Sequence, residues 1–257
     1  CGKINKNIEK YIKKYFNKKK NNNLNKYPLY NNFIDVQKKI RFKSYKKNVE
    51  QAQIYMGFPA YNVNNDFKKY VLELISNVLA GNMSSRLFIK LRQKKGLVYT
   101  VKSNLDLYQD IGIIYIYFGT FNKSVKQAVN IVINEIKNIK KNGLTKNEIT
   151  ENIQYIIGNQ EMDSENNENY NIDIAYDTLF NNKNISINNK KKIFNKINNQ
   201  DIINVSNEIF NLNKLNICIV SNKIYNNFIE IWNIYNNFIK IWNIYNNFIE
   251  IWNIYNN

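Results

Sequence analysis

The sequence predicts an α+β fold, a two-layer sandwich in which helices cover an antiparallel or mixed sheet. Three observations carry this. A few strand-like runs are interleaved with several pairs of helical runs, an order that suits layered α+β packing. The order lacks the strict strand–helix alternation of a dinucleotide-binding fold. Neither Gly-x-Gly-x-x-Gly nor Gly-x-x-x-x-Gly-Lys-Ser/Thr occurs, so a nucleotide site has little support.

The elements follow in order. Residues 5–16 read as an amphipathic helix with Ile8, Tyr11, Ile12, Tyr15 and Phe16 on one face. Residues 17–49 are a basic, Asn-rich stretch with Pro28. Residues 51–58 read as a strand. Asp66 is placed to cap a helix with the stripe Phe67, Tyr70, Val71, Leu74, Ile75 and Val78. Gly81 suits a left-handed helix end. Ser84 or Ser85 can cap a further helix running to about Lys94, where Gly96 stops it. Residues 97–101 have strand composition and open a hairpin-like run to Thr120.

Asn122 is placed to cap a helix whose stripe is Val125, Ala128, Val129, Val132, Ile133, Ile136 and Ile139. Lys140 and Lys141 favour its C-terminal dipole, and Gly143 ends it. Thr145 and Glu148 form a capping-box pattern that starts the next helix. Residues 159–171 are polar and acidic, and residues 172–180 read as helical again. Residues 188–197 and 201–210 read as short helices, and residues 214–220 as the closing strand. From Ile224 onward the chain is a near-perfect ten-residue repeat marked by Tyr225, Tyr235, Tyr245 and Tyr255. Solenoid repeats need about 20 residues or more. Ten residues at about 100° each also rotate the apolar stripe with every copy. Recent duplication is the favoured origin, and an aromatic interfacial helix the functional alternative. The expected organisation is a helix and basic linker over 1–49, one α+β domain over 50–222 and a repeat tail over 223–257.

Composition narrows the function. The net charge is +17, but residues 1–50 hold 15 Lys and Arg against 3 Asp and Glu, leaving +5 for the other 207 residues. Abundant Asn, Lys, Ile and Tyr together match AT-rich codons. Nucleic-acid binding is therefore not expected. No run of about eighteen apolar residues suggests a membrane span. Cys1 and Cys218 are far apart and form no Cys-x-x-Cys pair, which argues against a disulfide framework and fits a reducing compartment.

The most specific run is residues 81–99, GNMSSRLFIKLRQKKGLVY. It sets Arg92 in a last helical turn and Tyr99 at the head of a strand, where a guanidinium and a phenol could both donate to a peptide carbonyl. This run resembles peptidase family M16, the inverted-zinc-motif metallopeptidases that include mitochondrial processing peptidase, insulin-degrading enzyme and small bacterial members. The similarity is to the C-terminal half of the family. EQAQIYMGFP at 50–59, DIGIIYIYFGT at 110–120, GLTKNEITENIQYIIG at 143–158 and LNICIVSN at 215–222 extend it, from Cys1 to about Asn222.

The chain holds no histidine, so the His-x-x-Glu-His zinc helix cannot be built from it. The resemblance implies that zinc sits in an N-terminal half lying before these residues, or on another subunit. This chain would carry neither metal nor catalytic residue and would be inactive alone. Arg92 and Tyr99 would bind substrate, reaching across a closed chamber toward that zinc. The implied partners are the zinc-bearing half and an extended peptide or presequence. The implied compartment is intracellular, cytoplasmic or mitochondrial. Ser84, Ser85 and Arg86 read mainly as capping and packing residues. A non-catalytic structural subunit of the same fold is the alternative from another class, and a basic nucleic-acid-binding protein the third.

Overall fold

The computed structural model describes residues 4–16, 35–181 and 185–225. Most of the 17–49 linker and nearly all of the repeat tail lie outside them.

The sheet is built around β2 (Ala52–Ala60), whose alternation buries Ala52, Ile54, Met56 and Phe58 and turns Gln53, Tyr55 and Gly57 the other way. β4 (Gly112–Thr120) pairs antiparallel with it, setting Met56 opposite Ile116 and Phe58 opposite Ile114. β3 (Val98–Leu107) pairs antiparallel with β4 and forms one edge. β5 (Asn216–Ser221) flanks β2 on its other side, antiparallel. β1 (Arg41–Lys46) pairs parallel with β5 and forms the second edge, giving the order β1-β5-β2-β4-β3. The sheet is therefore mixed, and the fold is α+β with two layers.

Residues 41–46 were expected within the linker but form β1. Their alternation of Arg41, Lys43 and Tyr45 with Phe42 and Ser44 is a period-two signal that the surrounding lysines obscure.

The helical layer comprises α2 (Lys68–Ala80), α3 (Val125–Asn142), α4 (Lys146–Glu165), α5 (Asn167–Asn181), α6 (Ile187–Phe194) and α7 (Asn199–Ile209). One apolar cluster joins it to the sheet, with Leu72, Leu74 and Ile75 of α2, Val132 and Ile136 of α3, and Ile202 of α7 all fully buried. Phe58 meets Phe210 edge-on at 5.2 Å, and Tyr70 meets Phe194 at 5.3 Å. Each such side chain contributes about 1.5–3 kcal/mol by leaving water. The uncovered face of the sheet carries Tyr55, Tyr115 and Tyr117, with the Tyr55 and Tyr117 rings 4.8 Å apart. The expected stripe of α1 (Ile8–Phe16) is present but exposed along its whole length. No helix of the described residues is long and apolar enough to cross a membrane.

Several caps differ from expectation. Asp66 does not cap α2; its carboxylate lies 3.5 Å from Lys69 Nζ. Asn122 opens a 3-10 turn, Asn122–Ser124, and α3 starts at Val125 without a side-chain cap. Gly81 is right-handed, at φ −83°. The Thr145–Glu148 capping box is formed, and α4 continues through the polar stretch to Glu165. An unforeseen second box, Asn198 with Asp201, opens α7. Tyr225, the first tyrosine of the repeat, joins the folded body: its hydroxyl donates to Asn122 O at 2.7 Å and its N–H to Ser44 Oγ at 3.2 Å.

Candidate functional site

The run after α2 turns on an asparagine. Asn82 Oδ1 accepts from Ser84 N at 2.8 Å, an Asx turn that ends one helix and begins the next. Ser84 and Ser85 therefore do not cap; Ser85 Oγ is buried without a hydrogen-bond partner among the described residues. Asn82 is itself held by Asn152 Oδ1 of α4 at 3.2 Å, which also accepts from Asn77 at 2.8 Å.

The helix that follows is not regular. Phe88–Gln93 runs in wide π-type turns, with Lys94 N bonded to Ile89 O at 2.9 Å. Such turns are uncommon and are frequent at functional sites. Leu87 and Leu91 are fully buried and anchor the segment on the core. Gly96 closes it in the left-handed region at φ +56°, where Leu97 N reaches back to Leu91 O at 2.8 Å.

β3 then begins with a register shift. Val98 lies opposite Thr120 and Thr100 opposite Gly119, so Tyr99 is the extra, unpaired residue of a β-bulge. A bulge bends its strand and re-aims a side chain. Val98 and Val101 are buried, whereas Tyr99 is 72% exposed.

Wide turn and bulge together bring the two sequence-predicted residues into contact. The Arg92 guanidinium lies 5.1 Å from the Phe88 ring centre and 5.6 Å from that of Tyr99. Among the described residues no side-chain hydrogen bond or ion pair engages the Arg92 guanidinium or the Tyr99 hydroxyl. Both stay available to donate, at one corner beside the outer edge of the sheet.

Two ion pairs behind this corner were missed in the sequence. Arg86 Nε and Nη2 donate to Glu148 at 2.6 and 2.8 Å, and Nη2 also to Gly143 O at 3.3 Å. Burial would push the Glu148 carboxyl up, but the Arg86 fork and the bonds from Thr145 more than offset it and hold it at about 2. Lys90 pairs with Glu135 of α3, which is 4% exposed. Glu135 falls three residues after Val132 and seven after Ala128, on the helix's buried stripe. A lone acid on such a stripe was the available signal.

The fold and the run over 81–120 define a class, the α+β domains of the inverted-zinc-motif metallopeptidases. A profile described as "Peptidase M16 inactive domain" matches residues 1–155. The chain belongs to peptidase family M16. It is 38% identical over 104 residues to YmxG, an uncharacterized zinc protease of Bacillus subtilis, a match covering 40% of this chain and 25% of that one. A protease from Helicobacter pylori shares the fold with a TM-score of 0.72 at 19% identity, over 86% of this chain and 53% of that chain. A peptidase M16 inactive domain from Pseudomonas fluorescens does so with a TM-score of 0.64 at 16% identity, over 73% and 44%. The matches span about a quarter of YmxG and about half of each solved chain.

Zinc, implied by the family, does not fit the residues of this chain. It has no histidine, and among the described residues no group of three His, Cys, Asp or Glu could hold a metal.

Proposed function

We propose that this chain is the substrate-binding, zinc-free half of an M16-type peptidase, completing a chamber with a zinc-bearing half on the same polypeptide or on a separate subunit. One observation carries the reading: Arg92 and Tyr99, two unengaged donors, meet at the bulged head of an edge strand. An extended peptide can add to such an edge through main-chain hydrogen bonds. Two fixed donors at its end then suit a peptide carbonyl. They would stabilise negative charge developing on its oxygen, an effect that grows when the halves close and exclude water. The partner half would supply the zinc and its activated water. The widely separated cysteines favour an intracellular, cytoplasmic or mitochondrial setting.

The test combines the purified chain with a zinc-bearing M16 half and follows cleavage of a quenched fluorescent peptide. Neither half alone should turn over, the mixture should, and a chelator should abolish it. Full activity of the zinc-bearing half by itself, unchanged on adding this chain, would leave the scaffold role in place of the substrate-binding one.

A further inference from the structure

We propose that Arg86 is a positioning residue for Arg92 and Tyr99, acting through a charged clamp that sets the orientation of the wide-turn segment. The proposal rests on the reading of Arg92 and Tyr99 given above. π-type turns are not self-supporting over several residues, so Phe88–Gln93 needs outside contacts to hold its pitch. Leu87 and Leu91 fix its depth. Buried anchors on one face set which side of the segment meets the core and leave its tilt against α3 and α4 open.

Two cations close that freedom. Arg86 enters the segment from its N-terminal side and forks onto Glu148, and Glu148 is itself held by Thr145 N at 2.8 Å and Thr145 Oγ1 at 3.0 Å. Lys90, four residues on, reaches buried Glu135 of α3. The pairs sit close enough that Glu135 adds to the field on Arg86. Arg86 Nη1 and Glu135 Oε2 are both buried, each without a hydrogen-bond partner among the described residues. The Arg86–Glu148 pair thus joins the segment to the start of α4, and the Lys90–Glu135 pair joins it to α3. A bidentate fork fixes direction as well as distance, which a lysine point charge does not. Arg92, two residues beyond Lys90, is aimed at Tyr99 from this clamped frame.

The chain holds three arginines, Arg41, Arg86 and Arg92, so their side-chain Nε–Hε NMR signals are few and assignable. The Arg92 signal should be ring-shifted by Phe88 and Tyr99, and Tyr99→Leu gives the reference without one ring. In the intact chain, Arg86→Lys and Glu148→Gln should each lose more than half of the shift that Tyr99→Leu removes. Glutamine still suits the third position of a capping box, so Glu148→Gln keeps α4 started. Ile156→Val, which thins the core under α4, should leave the Arg92 signal in place. An unmoved Arg92 signal in folded Arg86→Lys and Glu148→Gln overturns the clamp. With a zinc-bearing half, both variants should lower kcat roughly tenfold to a hundredfold with KM little changed, as misplacement of a donor to the reacting carbonyl does. A moved signal with wild-type turnover keeps the clamp and removes the substrate-binding role of Arg92 and Tyr99.

Discussion

The Arg92 guanidinium lies 5.6 Å from the centre of the Tyr99 ring and 5.1 Å from that of Phe88. A cation held over aromatic faces at an exposed site is stabilised by about 0.5–1 kcal/mol. That is enough to bias a side chain and too little to hold a fold. The arrangement therefore serves direction more than stability.

Activity and stability should separate at this corner. Arg92→Ala or Tyr99→Phe, assayed with a zinc-bearing half, should lower peptide cleavage by roughly one to three orders of magnitude. Unfolding free energy should change by less than about 1 kcal/mol, because both side chains are exposed. Tyr99→Phe keeps the ring over which Arg92 lies and removes only the donor, so a large loss in that variant assigns the effect to the hydroxyl. Wild-type turnover in both variants would leave the scaffold role.

Acid should loosen the clamp. Glu148 is held at about 2 against an ordinary 4.5, so its folded-state pKa is depressed. Its contribution is fully present above pH 4.5 and is lost as pH falls toward 2. Urea unfolding between pH 2 and 6 should show this slope in the wild type and a flatter one in Glu148→Gln. Equal slopes would show that Glu148 does not carry the acid sensitivity.

A second carboxylate works in the opposite window. Burial raises Glu73 of α2 to about 7, against the opposing pull of Lys190 and Lys69. Its folded-state pKa lies above the unfolded value, so its contribution is fully present below about pH 4.5 and is gone once pH has risen past 7. Glu73→Gln should be more stable than the wild type at pH 8, with the difference vanishing near pH 4. Thermal unfolding at the two pH values is the measurement, and a constant difference between them would count against a half-buried, titrating Glu73.

Two glycines should respond differently to alanine. Gly96 sits at φ +56° with nothing within 4 Å of the position a Cβ would take. Gly96→Ala should cost only the left-handed strain, about 1–2 kcal/mol. Gly143 sits at φ +67°, and a Cβ there would stand 1.8 Å from Asn199 Oδ1. That oxygen accepts from Leu144 N at 2.7 Å. Displacing it strands a donor as well, adding about 1–3 kcal/mol. Gly143→Ala should be the more destabilising in denaturant titrations, and the reverse order would contradict the Asn199 contact.

Tyr225 should prove part of the fold. Tyr225→Phe removes the hydroxyl that donates to Asn122 O at 2.7 Å, at a cost of about 1 kcal/mol. A thermal midpoint identical to the wild type would place the folded boundary before this residue.

What the sequence determined by itself is the layered α+β class and the identity of most elements. Apolar periodicity is local: the stripes of α2 and α3 and the alternation of β2 are written within each segment. The Thr145–Glu148 box and the stops at Gly96 and Gly143 were legible for the same reason, since each depends on residues at most a few positions apart. The family resemblance in the 81–120 run singled out Arg92 and Tyr99. Only the tertiary structure decided how those two residues meet. The wide turns of Phe88–Gln93 and the bulge at Tyr99 are set by partners distant in sequence, by Leu91 sinking into the core and by the pairing of β3 with Thr120 and Gly119. The Arg86–Glu148 and Lys90–Glu135 pairs span sequence separations of 62 and 45 residues, beyond any local pattern. β1 was hidden because its partner, β5, lies at the far end of the described chain, and a strand among lysines shows itself only when the sheet that pairs it is formed.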